Sequence, residues 1–177
     1  VNRFAFLLII ALAGCASSEA PTGGAVQARS VPIVPVARGI LLPVGDGTPP
    51  RLPEVRIARS QEELGKVFLD HLEATQPGLA RRAVARLGPG ERALLVYAGR
   101  KEETLVSVEA IRAKVEEDGT LVITIHDERE PGEPRPEPTH PFFIGRMELG
   151  DAPPKAKLRG VDGRPLKWDV WIDGDPR

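Results

Sequence analysis

The chain has 177 residues, 41% of them hydrophobic and 28% charged. That is room for one ordinary folded domain, and the composition is not that of a polytopic or disordered protein. Lys and Arg number 24 and Asp and Glu 25, a net charge of −1, which argues against nucleic-acid binding because such proteins carry a basic surplus. A single cysteine excludes a disulfide framework and a cysteine-based zinc cage.

The amino-terminal residues read as an address. Arg3 precedes an uninterrupted apolar run over residues 4–12, and small residues follow, the pattern of a secretory signal. The run is well short of the ~20 residues that a membrane-spanning helix needs. Leu12-Ala13-Gly14-Cys15 resembles the lipobox of bacterial lipoproteins. That resemblance implies cleavage after residue 14, lipid attachment to Cys15 and residence in the cell envelope. Ala16, which is not acidic, favours the outer membrane in a cell that has two.

Residues 15–53 read as a lipidated cysteine followed by a proline-rich tether. Seven prolines lie from Pro21 to Pro53, and they interrupt each apolar run. Ile33-Val34 and Ile40-Leu41-Leu42 can still supply an edge strand, where proline is tolerated. The folded domain is expected over residues 54–177.

Glu54-Val55-Arg56-Ile57-Ala58 alternates as a strand does. Ser60-Gln61-Glu62-Glu63 has the S-x-x-E capping-box pattern, and Leu64, Val67, Phe68, His71 and Leu72 recur at helical spacing. This predicts one amphipathic helix over residues 61–74, with a second short one over 79–87. From Ala93 the period becomes two. Residues 93–97 suit a strand buried on both faces. Residues 105–115 alternate with a change of phase that implies a bulge near Ala110. Glu117-Asp118-Gly119 marks a hairpin, and Leu121, Ile123 and Ile125 face inward on the return strand, with Val122, Thr124 and His126 opposite. Pro131, Pro134, Pro136 and Pro138 make an exposed loop. Strands follow from Phe142 to Leu149 and from Leu166 to Ile172. The fold class is α+β: mainly antiparallel sheet, with one N-terminal amphipathic helix packed on it.

The order of these pieces resembles the PrcB family of protease-complex lipoproteins. The likeness rests on the capped helix, the strand ending at Gly99, Thr104, the Asp118-Gly119-Thr120-Leu121-Val122-Ile123-Thr124-Ile125 return strand and His140-Pro141-Phe142. It spans residues 54–149. The resemblance implies a stabilising subunit of a surface protease with no catalysis of its own. The chain departs from the family at Thr104-Leu105-Val106-Ser107, where the family has Thr-Gly-Gly-Tyr.

Candidate catalytic groups are few. Ser60 reads as a helix cap, Ser107 faces outward on a strand, and neither G-x-S-x-G nor S-x-x-K occurs. His71 on the apolar helix face reads as a hydrogen-bonded, semi-buried histidine. His126 and His140, with Glu128 or Glu130, would make a metal site if their strands paired. The paired carboxylates Glu102-Glu103, Glu116-Glu117 and Asp127-Glu128 read as turns and strand ends. Trp168 and Trp171 lie on opposite strand faces, one in the core and the other partly exposed.

The expectation is therefore a non-catalytic, lipid-anchored envelope protein without a cofactor. It would contact the membrane through Cys15 and bind an envelope protein partner, a protease in the form that the family resemblance implies, through Gly99, Arg100, Thr104 and Trp171, with no role for nucleic acid. The alternatives are a small-molecule or glycan binder using a pocket beside Trp168 or Trp171, and a metal-dependent enzyme using His126 and His140.

Overall fold

The computed structural model describes residues 27–45, 47–85, 87–101, 105–129, 138–151, 153 and 155–177. Residues 1–14, read above as a signal sequence, lie outside the described residues, as do Cys15, Thr104, Glu130 and most of the proline-rich loop.

Among the described residues ten strands and two helices follow one another: β1 (Arg29–Val31), β2 (Ile33–Ile40), β3 (Glu54–Ala58), α1 (Lys66–Thr75), α2 (Leu79–Val84), β4 (Glu91–Tyr97), β5 (Leu105–Val115), β6 (Leu121–Arg129), β7 (Pro141–Glu148), β8 (Ala156–Gly160), β9 (Asp169–Ile172) and β10 (Asp175–Pro176). They build a four-stranded sheet of order β1-β5-β6-β8 and a six-stranded sheet of order β10-β9-β3-β4-β7-β2. Pairing is antiparallel except between β6 and β8 and between β3 and β9. The molecule is thus mostly antiparallel sheet with few helices.

Two apolar clusters hold the layers together. Val55, Ile57, Leu94, Val96 and Phe143 of the larger sheet meet Val108, Ala113, Leu121, Ile123, Ile125 and Leu158 of the smaller one. On the other face of the larger sheet, Ala93, Leu95, Tyr97 and Ile144 meet Leu64, Phe68, Leu72, Leu79 and Ala83. Strand β4 is therefore buried on both faces, which explains its nearly continuous apolar sequence.

The expected helix over residues 61–74 is divided. Ser60 Oγ accepts the Glu63 N–H at 3.3 Å, and the Glu63 carboxylate accepts the Arg59 N–H at 2.6 Å, a reciprocal cap. It closes only a 3-10 turn over Glu62–Leu64. Gly65 then takes φ +87°, and a Cβ there would lie 2.6 Å from Arg56 Nη1. Helix α1 starts after that close approach, with Phe68, His71 and Leu72 buried.

The tether expectation is corrected for residues 29–40. Strand β1 pairs with β5 in one sheet and β2 with β7 in the other, so the chain changes sheets at Pro32. Proline is accommodated because β2 is an edge strand and its register shifts between Pro35 and Ala37. The folded body begins before Glu54.

Strand β8 was not expected: Ala156-Lys157-Leu158-Arg159-Gly160 buries only Leu158, too weak a pattern to stand out. The last strand is shorter than expected, since Leu166 and Trp168 pack against the core without being in it. The bulge expected near Ala110 is present between Ala110 and Arg112. Ile111 is half exposed rather than inward, because the bulge leaves it as the unpaired residue. Val122 is buried although it lies on the outward side of β6.

Candidate functional site

Residues 41–53 cross from the end of β2 to the start of β3, and buried polar groups hold them. Leu41 donates its N–H to the His140 carbonyl at 2.9 Å. Leu42 donates to Thr75 Oγ1 at 2.9 Å, and that hydroxyl donates to the His71 carbonyl at 2.8 Å. His71 Nδ1 lies 2.7 Å from the Leu42 carbonyl oxygen. A carbonyl only accepts, so Nδ1 carries the proton.

At the far end of the strap, the Tyr97 hydroxyl donates to the Pro50 carbonyl. Its oxygen lies 2.7 Å from His140 Nδ1. With the phenolic proton used on Pro50, the ring nitrogen must be the donor, which fixes the relay His140 Nδ1–H to Tyr97 to Pro50. One residue on, the Arg51 carbonyl accepts the Arg100 N–H at 3.0 Å. Gly99 makes this contact possible. Its φ is +75°, and a Cβ there would lie 2.7 Å from the Arg51 oxygen and 2.8 Å from the Pro53 nitrogen.

The electrostatics suit holding rather than proton transfer. Burial pushes the His140 ring below its usual value, and the charges of Arg100 and His71 push it the same way. Burial, then the Glu54 carboxylate, raises the Tyr97 phenol well above its ordinary range. An activated phenol would need the opposite shift.

The sequence-predicted residues separate. Gly99 and Arg100 stand together beside the strap, and the space next to Gly99 is taken by the chain's own residues 51–53. Trp171 lies on β9, opposite Arg56 of β3, whose side chain packs on its ring. The Arg56 guanidinium sits 4.6 Å from the Trp171 ring and 5.3 Å from Phe68, and it is paired with Glu54. Trp171 Nε1 is buried without a hydrogen-bond partner among the described residues. Burial raises the Glu54 carboxyl from its usual value, and the Arg56 pairing partly offsets this. Both tryptophans are half-buried, where one core ring and one partly exposed ring were expected.

The metal arrangement requires β6 and β7 to pair. They belong to different sheets, His126 is exposed and His140 is engaged with Tyr97. No group of three or more His, Cys, Asp or Glu that could hold a metal occurs among the described residues. A cleft of about 280 Å³ does open beside Trp168, lined by Leu158, Leu166, Val170 and Arg177.

Sequence reasoning found His71 but missed its purpose, and it passed over Tyr97 as one more apolar residue of β4. The signal available was a hydroxyl inside an otherwise apolar run, which must find a partner when buried. No helix among the described residues is long and apolar enough to cross a membrane. Comparison of the chain with protein-family models, curated proteins and solved structures found no match.

Proposed function

We propose that this protein is an envelope lipoprotein, anchored through lipid on Cys15, whose body is a non-catalytic module for binding another envelope protein. A PrcB-like role, stabilising a secreted or surface protease, is the form of this reading that the sequence resemblance favours, with the amphipathic helix packed on the sheet as in that family. The anchor rests on the lipobox.

The observation that carries the binding role is the strap. Leu42, Val44 and Leu52 are three of the seven large hydrophobic side chains exposed among the described residues. They lie within eleven residues of chain that buried groups hold in place. Apolar side chains carried on a backbone held in this way, with Leu52 beside Gly99, cost less ordering entropy when a partner covers them. Of the two histidines that the metal-dependent reading would use, His140 holds the strap and His126 is exposed on the other sheet.

Co-purification from detergent-solubilised envelope should return a stoichiometric protein partner. The double substitution Leu42→Asp/Leu52→Asp should lose it while changing stability by no more than about 0.5 kcal/mol, as exposed positions do. Recovery of the same partner by the double variant rules the strap out as its binding surface. Palmitate incorporation that is lost in Cys15→Ser tests the anchor separately.

The cleft beside Trp168 favours a second reading, a small-molecule binder. There, tryptophan fluorescence should respond to a ligand, and Trp168→Phe should remove the response.

A further inference from the structure

We infer that the outer face of the four-stranded sheet, through Arg112, Lys114, Lys157 and Arg159, docks on an anionic phospholipid surface. The inference rests on the lipid-anchor reading above for its bilayer, and the chemistry of the face is independent of it.

The register places these cations. Lys114, Val122 and Lys157 form one cross-strand row, and Arg112, Thr124 and Arg159 form the next. Residues opposite one another on paired strands share a face. Ala113, Leu121, Ile123 and Leu158 of the same strands are in the core between the sheets, so both rows face away from it. Strand geometry sets the rows about 7 Å apart and the cations of each row about 10 Å apart across β6. All four cations are exposed. Val122, only 2% exposed, lies between Lys114 and Lys157, as expected where long alkyl stems flank a smaller apolar side chain.

The carboxylates near this grid sit at its ends, and apart from Glu117 in the turn the nearest ones have partners. Glu116 pairs with Lys114 at 3.0 Å, at the hairpin end. Asp118 in the turn is held below the usual carboxylate range by hydrogen bonds from Thr120, with Lys157 and Lys155 contributing. Beyond the bulge, Glu109 pairs with Arg38 at 3.5 Å, and Glu128 accepts from Ser107 at 2.8 Å. Arg112 and Arg159, in the row between, make no ion pair with any described residue.

The path of the chain brings this face to a bilayer. The amino-terminal segment enters the body at β1, where Ser30 stands opposite Lys114 on the neighbouring strand. From Cys15 to Arg29 no more than about 50 Å of extended chain intervenes. Acyl chains joined to a cluster of basic residues are a recurrent pair of membrane signals, the second acting by attraction to anionic headgroups. A flat grid of cations on one sheet matches an extended anionic plane, and the molecule's net charge of −1 makes the attraction depend on orientation.

The test uses the full-length chain carrying Cys15→Ser, so that no acyl chain contributes. Its sedimentation is measured with phosphatidylcholine vesicles and with mixed phosphatidylcholine and phosphatidylglycerol vesicles. The apolar run over residues 4–12 acts equally on both, so the difference between them isolates the basic face. We expect a preference of at least ~10-fold for the anionic vesicles, falling as salt is raised. The quadruple variant Arg112→Gln/Lys114→Gln/Lys157→Gln/Arg159→Gln should lose it, and each row's double variant should lose part. Lys66→Gln/Arg81→Gln, on the helical side, should keep it. Equal binding to both vesicles overturns the inference. So does a preference that survives in the quadruple variant, or duplex DNA that displaces the vesicles from this face. Absence of lipid on wild-type Cys15 defeats the anchor reading but leaves the vesicle result standing, so the two failures are distinguishable.

Discussion

Tyr97 and His140 show how one buried pair converts side-chain chemistry into backbone placement. Tyr97→Phe removes the hydroxyl that serves both the Pro50 carbonyl and the His140 ring. A buried group left without its partner costs about 1–3 kcal/mol, a loss to be read from urea denaturation. The pH dependence has a definite sign. The folded state holds His140 below its ordinary value of 6.5, so between those two values the unfolded chain takes up a proton that the folded chain refuses. Stability is fully present above pH 6.5 and is lost as pH falls from there through the lower folded value. Denaturation midpoints measured from pH 8 downward should show this loss, and His140→Gln should flatten it in that window.

The strap is the element whose placement depends most on a single residue. Gly99→Ala introduces a Cβ within 2.8 Å of two backbone atoms of residues 51–53, at a φ of +75°. Backbone cannot yield as a flexible side chain does, so the strap must lift, at a cost of about 1–3 kcal/mol from the conformation alone. Amide exchange should rise at Arg100 and along residues 41–53, with β5 and β6 unchanged. If exchange rises uniformly, the strap is not a separate unit. Part of this element was legible in sequence. The run of prolines announced that residues 43–53 are not regular structure. That they are held to the body was not legible, because their partners, His71, Thr75, Tyr97 and Arg100, lie 20 or more residues away and none carries a local motif.

At the scale of the whole molecule, the two sheets are joined through the segment first read as a tether. A chain shortened to residues 54–177 lacks β1 and β2, and therefore an edge of each sheet and the buried Val31. It should be soluble only poorly and should lack the cooperative thermal transition expected of the full chain, whereas removal of residues 1–14 alone should leave that transition in place. Scanning calorimetry separates the two outcomes.

Local pattern by itself determined β3 to β7, both helices, the hairpin at Asp118-Gly119 and the bulge at Ala110, because each follows from periodicity, capping or turn chemistry within a few residues. It also holds Leu12-Ala13-Gly14-Cys15, the stretch that resembles a lipobox. Tertiary structure decided what those signals do not encode. It placed β8 parallel to β6 and β9 parallel to β3, put β6 and β7 in different sheets so that His126 and His140 are not neighbours, and laid Arg56 over Trp171. Parallel pairing, sheet membership and long-range hydrogen bonds depend on which distant surfaces bury one another, and a contact between residues far apart in the chain leaves no period in either segment.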